Sequence, residues 1–230
     1  MASLWSNVHP SLVLGTGYTT VGSAQQVWLA NTPEPGLENT YASSGKQYNS
    51  ILFGFALEKA FTNHHENIEP AAGLEADYLR NSNMSGVVHP MVNVDPDFDR
   101  LNYSFRMNSY LLFATGKLSM LNIISKLGGY LQAGVGGAFN KLSNYNETSP
   151  TGSSAAPSLA PFRDRSNKKF AYFLGAGIVC QMSKATQILI GYRYINSGQS
   201  GFNTSPIQQT KDTLNFSTLS NHFLTISLVV

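Results

Sequence analysis

The sequence is short of charge, of cysteine and of long apolar runs. Only 12% of its 230 residues are Asp, Glu, Lys or Arg, about half the share of a soluble domain. One cysteine, Cys180, excludes an intrachain disulfide. The longest apolar run, Ile51 to Leu57, falls far below the ~18 residues of a spanning helix. The mean hydropathy of −0.12 likewise excludes a helical membrane protein. The net charge of +2 is small and the basic residues are scattered, so a nucleic-acid partner is not expected. No basic segment followed by an apolar one opens the chain. Met1-Ala2-Ser3-Leu4-Trp5 reads as a start placed on a mature sequence, with the signal peptide expected of an exported protein absent here.

What the chain does have is alternation. From Ile68 to Tyr78 one parity carries Ile68, Pro70, Ala72, Leu74, Ala76 and Tyr78; the other carries Glu69, Ala71, Gly73, Glu75 and Asp77. A strand sends alternate side chains to opposite faces. One face here is apolar, and the other holds tiny residues and carboxylates. The pattern recurs, and it predicts about eight strands: Val8 to Tyr18, Tyr48 to Phe61, Ile68 to Tyr78, Leu101 to Lys117, Gly128 to Asn140, Lys169 to Gln181, Thr186 to Asn196 and Asn221 to Val230. On the fourth, Tyr103, Phe105, Met107, Leu111 and Phe113 are assigned outward, and Asn102, Ser104, Arg106, Asn108 and Tyr110 inward. Each strand has the ~9–11 residues, or slightly more, of a tilted spanning strand.

The expected fold is therefore all-β: one domain over residues 1–230, a transmembrane antiparallel up-and-down barrel, apolar outside and narrow and polar inside. The connections alternate in length. Short turns would lie on the periplasmic rim, and four long loops rich in Ser, Thr, Asn, Gly and Pro on the extracellular one. An even strand count lets the first and last strands pair and removes the sheet edges. Aromatics fall near strand ends, as interfacial girdles do: Tyr18, Tyr78, Tyr103, Phe139, Phe170, Tyr172, Tyr192 and Tyr194 toward the long loops, and Trp5, Phe61 and Phe113 toward the other rim. A soluble lipocalin-type barrel would reverse the faces. The glycine and alanine on the polar parity and the large residues on the apolar one argue against it.

Several segments resemble the outer-membrane β-barrel group related to the barrel domain of outer-membrane protein A and the opacity-type surface proteins. They are Leu52-Phe53-Gly54-Phe55-Ala56-Leu57, Glu69 to Leu74, Gly129 to Phe139, Phe173 to Ile178 and Ile190-Gly191-Tyr192-Arg193-Tyr194. The likeness covers nearly the whole chain at the level of pattern. It implies a bacterial outer-membrane location, surface-exposed loops, contact with membrane lipid and lipopolysaccharide, and insertion by the barrel assembly machinery. The last strand ends in Val230 where such chains commonly end in an aromatic residue.

The residues with chemistry are few. Glu75 and Asp77 share the inward parity of the third strand, with Arg106 inward on the fourth and Arg193 inward on the seventh. A narrow barrel brings opposite walls within reach, and Arg can bridge two carboxylates. This predicts a salt-bridged plug of Glu75, Asp77, Arg106 and Arg193, with a second acidic site of Glu58 and Glu69 near the lower rim. Lys59 and Lys117 are assigned outward near that rim, where a lysine can snorkel. Asp95-Pro96-Asp97-Phe98-Asp99 lacks the glycine and distal glutamate of a calcium loop. His64-His65 reads as a solvent-facing turn and His222 as an outward histidine without a matched serine and carboxylate. No catalytic residue, metal site or cofactor is expected. The leading expectation is a structural, surface-interacting (adhesin-like) barrel whose loop partner is unknown. The alternative is a narrow pore for ions or small solutes, gated by the salt bridge, with the inward glycines leaving a water-filled lumen.

Overall fold

The computed structural model describes residues 8–22, 25–28, 38–43, 47–61, 68–91, 95, 99–124, 126–157, 162–183, 186–205, 212–217 and 219–230. Eight long strands form the barrel: β1 (Val8–Val21), β2 (Tyr48–Ala60), β3 (Ile68–Asn81), β4 (Leu101–Ile124), β5 (Leu127–Thr148), β6 (Arg165–Gln181), β7 (Gln187–Asn196) and β8 (Leu219–Val229). Each pairs antiparallel with its sequence neighbours, and β1 pairs with β8, from Ser11 opposite Val229 to Val21 opposite Leu219. The sheet is closed and has no edge at barrel level. No helix among the described residues is long and apolar enough to cross a membrane; the crossing is made by strands.

The apolar parity faces out. Leu12, Phe53, Leu74, Leu131, Leu174, Ile190 and Leu224 are all exposed, Leu74 and Leu224 to 62% and 67%. In water so large an apolar belt would drive aggregation, whereas against hydrocarbon it is the favourable surface. Seven of the eight registers follow the alternation read from the sequence.

The register of β4 is opposite to the expectation. Tyr103, Phe105, Met107, Leu111 and Phe113 are buried on the inner side, while Tyr110, Leu112, Leu118 and Met120 face lipid. In its upper half, beyond the belt, the polar parity of Asn102, Ser104, Arg106 and Asn108 turns outward and the apolar one packs inward, while in the lower half both parities carry large apolar residues, so alternation alone does not choose between them. Arg106 is consequently exposed on the outer wall and Lys117 is buried inside. Tyr103 and Phe113 belong to the interior and not to the interfacial girdles.

Two strands continue past the belt. β4 has 24 residues and β5 has 22, and together they form a hairpin that projects from the long-loop rim. A bulge interrupts their pairing between Ser104 and Arg106. Opposite it, Asn144 takes a left-handed conformation with φ 57°, which asparagine tolerates well. The extra residue resets the parity of β5, so that Tyr145 and Glu147 turn to the same inner side as Leu142. Three short strands, Met84–His89, Glu38–Ser43 and Gln25–Trp28, extend the sheet sideways from β4 in that order. Beneath this extension lies an aromatic core. Phe105 meets Phe202 edge-on at 5.3 Å and stacks on Phe216 at 4.9 Å, while Phe162 meets Tyr41 at 5.5 Å and Tyr145 at 5.0 Å. The described parts of the long connections are thus folded into a dome over the barrel mouth.

Candidate functional site

The interior of the barrel is a stack of layers, each set by inward positions at one height. At the short-turn end, Glu58 of β2 is ion-paired with Lys117 of β4. Glu69 of β3 lies beside them, half-buried, and with His9 and Gln187 it borders an opening of about 50 Å³. The expected acidic site of Glu58 and Glu69 is therefore an ion pair with Glu69 at its edge, because the β4 register turns Lys117 inward.

The next layer is ionic. Glu75 and Asp77 project from β3, Gln132 from β5, and Arg193 from β7 across the lumen. The Arg193 guanidinium donates to Glu75 Oε1 and lies 3.5 Å from Asp77 Oδ2. Its second nitrogen donates to Gln132 Oε1 at 3.0 Å, and Gln132 Nε2 returns to Glu75 at 3.4 Å and to Glu58 at 3.3 Å. The guanidinium also sits 4.3 Å from the centre of the Phe173 ring, within cation–π range. These side chains are nearly inaccessible. Asp77 Oδ1 has no hydrogen-bond partner among the described residues. Among the described residues these two layers thus hold three buried carboxylates, Glu58, Glu75 and Asp77, against two buried cations, Lys117 and Arg193. Of the four residues expected in the plug, three meet. Arg106 does not; its Nε donates instead to Asn83 Oδ1 at 3.0 Å on the outer wall.

Above the ions is an apolar layer of Val13, Leu52, Leu79, Phe113, Phe173 and Phe223 with their neighbours. Phe113 and Phe173 meet edge-on at 4.9 Å. The inward glycines serve this layer and the one at the bottom. A Cβ on Gly134 would collide with the Phe173 ring, and a Cβ on Gly177 or Gly191 with Tyr130. These three glycines seat large rings, whereas the pore alternative has the inward glycines leaving a water-filled lumen. Phe173, Phe223 and Tyr130 were legible as inward by parity. The signal passed over was complementary: bare glycines on one wall require bulky side chains on another to fill the space.

A ring of short polar side chains follows. The Thr19 hydroxyl is 2.5 Å from Asn81 Oδ1 and 2.6 Å from Asn221 Oδ1. Ser109 donates to Asn140 at 2.6 Å, Asn140 Nδ2 donates to the Ser197 carbonyl at 2.8 Å, and Asn221 Nδ2 donates to Ser197 Oγ at 3.2 Å. Ser50 completes the ring on β2, 2.7 Å from Thr19. The aromatic dome closes the top. Within it Glu147 accepts from Tyr145 at 2.8 Å. Burial, reinforced by the Glu147 carboxylate, pushes the Tyr41 and Tyr145 phenols up. On the dome surface Asp99 accepts from the Ser154 N–H and hydroxyl at 2.5 and 2.7 Å, and these donors hold its carboxyl below the usual range.

On the outer wall, Phe61 lies exposed near the short-turn rim. Toward the loops lie Tyr18, Tyr78, Phe139, Phe170, Tyr172, Tyr192 and Tyr194. Tyr110 joins them, 5.1 Å from Tyr78. His222 stacks on Tyr18 at 4.8 Å, and its Nδ1 is 2.5 Å from the Tyr192 hydroxyl. Trp5, His64, His65 and Asp97 lie outside the described residues. Among the described residues, no group of three or more His, Cys, Asp or Glu side chains is placed to hold a metal ion.

This closed, layered architecture matches known structures across its full length. Neisserial surface protein A superposes with a TM-score of 0.52 at 11% identity, over 98% of this chain and 97% of that one. The outer membrane protease OmpT from Escherichia coli gives 0.56 at 8% identity, over 100% and 98%. The chain has the fold of a bacterial outer-membrane β-barrel. At these identities the likeness concerns the fold. No protein-family model matches the chain, and no curated protein does. As an outer-membrane barrel, it carries its apolar belt in the hydrocarbon, its short turns on one rim and its dome on the other.

Proposed function

We propose that this protein is a closed, non-conducting barrel of the bacterial outer membrane that serves a structural and surface-contact role through its dome, without catalysis. The observation that carries this reading is the packed interior. Between the ionic layer and the dome the lumen is filled by side chains. Two spaces at the ionic end have volumes of about 50 and 10 Å³, room for a few waters at ~10–15 Å³ each. A pore would need a continuous wet path, and the apolar layer, the polar ring and the dome each stand across it. That weighs against the narrow-pore alternative. The non-catalytic part draws on the surroundings of His222: its Nδ1 is engaged by the Tyr192 hydroxyl and its ring lies among Tyr18, Tyr192 and Tyr194, while Ser220, the next outward residue on β8, is 3.2 Å from the Tyr194 hydroxyl instead.

A dome with its own aromatic core offers a fixed shape to a partner, and the surface location in the name of the Neisserial protein suits the same use. Planar-bilayer recording tests the reading. The wild type gives no discrete conductance steps, and Arg193→Ala, which leaves the apolar layer and dome in place, gives none either. Reproducible steps from the wild type would overturn it. Adhesion of vesicles bearing the protein to cell surfaces should disappear when protease shaves the dome; adhesion that survives shaving would remove the contact role.

A further inference from the structure

The opening of about 50 Å³ at the short-turn end brings together side chains from opposite parts of the wall. His9 of β1, Glu69 of β3 and Gln187 of β7 border it, together with Glu58 and Lys117. His9, Glu69 and Gln187 lie on the inward parity of their strands and are half-buried. Among the described residues their side chains make no hydrogen bond and no ion pair. Ser119 is the register partner of Glu69 on β4 and fully buried, and its hydroxyl also has no partner. Inward residues paired in this way have Cβ atoms about 4.5–5.5 Å apart. Polar groups withdrawn from bulk water are normally satisfied, yet here several acceptors collect where the protein supplies no donor.

The charge of the interior points the same way. Glu58, Glu69, Glu75 and Asp77 are four inward carboxylates, and the cations that meet them are two, Lys117 and Arg193. Lys117 is committed to Glu58 and Arg193 to Glu75 and Asp77, which leaves Glu69 at the mouth without a counter-charge. A cleft lined by one sign of charge and walled by low-dielectric material concentrates its field on the entrance. The way further in is closed by the ionic and apolar layers, so a cation drawn to this mouth stops there.

We propose that the opening binds the ammonium head of a primary aliphatic amine that enters from the periplasmic side. An ammonium is a compact charge with three N–H donors. The free acceptors at the mouth match it: the Glu69 carboxylate, the Gln187 amide oxygen and a ring nitrogen of His9. The space holds a few waters at ~10–15 Å³ each, which suits that head. Ala60, Ala71 and Val229 complete the lining and give the first methylenes of the amine an apolar wall. A metal ion fits less well, since among the described residues no three His, Cys, Asp or Glu side chains converge. The inference goes beyond the surface-contact role and is independent of it.

The test uses the full chain folded in zwitterionic detergent micelles, with the Gln187 side-chain amide and the His9 ring followed by NMR. Butylammonium chloride should shift both sets of resonances saturably. Tetramethylammonium chloride at the same ionic strength carries the charge without an N–H and should not, and magnesium chloride should not reproduce the shifts. Glu69→Gln keeps the shape and removes the charge. It should weaken butylammonium binding by about tenfold or more, the loss of one charge-assisted hydrogen bond. Gln187→Met should weaken it by a smaller factor. Asp99→Asn removes a carboxylate from the dome at the other end and should leave the affinity unchanged. Two further probes separate the sources of such a head: tighter binding of 1,4-diaminobutane assigns a free amine, and tighter binding of Nα-acetyl-lysine amide a peptide-borne one. Equal shifts with tetramethylammonium or magnesium, or equal affinity in wild type and Glu69→Gln, would overturn the proposal. Mobility of unheated samples on gels reports barrel folding separately, so a folded barrel that ignores butylammonium refutes the site and leaves the surface-contact reading untouched.

Discussion

Replacing Arg193 by methionine tests whether the ionic layer is structural. The methionine fills much of the same volume but removes one positive charge from a sealed space. Glu75 loses Arg193 from both oxygens and keeps only Gln132 Nε2 on Oε2, Gln132 Oε1 loses its 3.0 Å donor, Asp77 Oδ2 loses its cation, and Phe173 loses its cationic neighbour. Two buried carboxylates would then face each other with Lys117, already committed to Glu58, as the nearest cation in the stack. Breaking a buried pair by removing one partner costs about 3–5 kcal/mol, and two stranded carboxylates place this case at the upper end. With an unfolding slope of about 2–3 kcal/mol per molar urea, the midpoint should fall by roughly 1.7–2.5 M. The assay is equilibrium unfolding from lipid vesicles, read by the gel mobility of unheated samples. The decisive comparison is Glu75→Gln/Asp77→Asn/Arg193→Met, in which the charges leave together. It should recover most of the loss, since removing all members of a buried ionic cluster is often near neutral. A single variant as stable as the wild type would show that the layer is solvated and that the reasoning fails. A triple variant no better than the single one would assign the loss to packing instead of charge.

Three further outcomes are expected. In a Cys180→Ser background, Leu112→Cys should take up a lipid-soluble fluorescent maleimide that spin-labelled lipid quenches, and Phe113→Cys should not; the reverse would restore the opposite register of β4. Gly134→Ala should push against the Phe173 ring and destabilise the barrel by about 1–3 kcal/mol, and an unchanged midpoint would show the ring to be loosely held. Asp99 titrates lower in the folded protein than in the unfolded chain. Its contact with Ser154 therefore contributes above the unfolded value near 3.9 and is lost as pH falls through the lowered folded one. Ser154→Ala should move the folded midpoint part of the way up in an NMR titration, and no movement would sever the link.

Alternation carried most of the architecture because seven strands have one large apolar face and one small or polar face. β4 does not. Its lower half has Tyr110, Leu112, Leu118 and Met120 on one parity and Leu111, Phe113 and Lys117 on the other, and only packing against the glycine-bearing walls decides between them. From that single inversion follow the outward Arg106, the inward Lys117 and the interior places of Tyr103 and Phe113. The dome was less legible. Its inward residues come from stretches separated by long polar connections, such as Tyr41, Phe162, Phe202 and Phe216, and no local period marks them. The resemblance in pattern spoke to the barrel and had nothing to say of its cap.

The core of that cap draws on Leu214, Phe216 and Leu219, the residues that lead directly into the last strand. β8 must still find β1, some two hundred residues back along the chain. Contacts of such sequence separation form late and slowly. Cap and seam are therefore finished in the same closing step. Until then the inner aromatics of the hairpin stay uncovered and the first strand stays unpaired. The half-made protein presents both at once, a sticky edge and a greasy mouth.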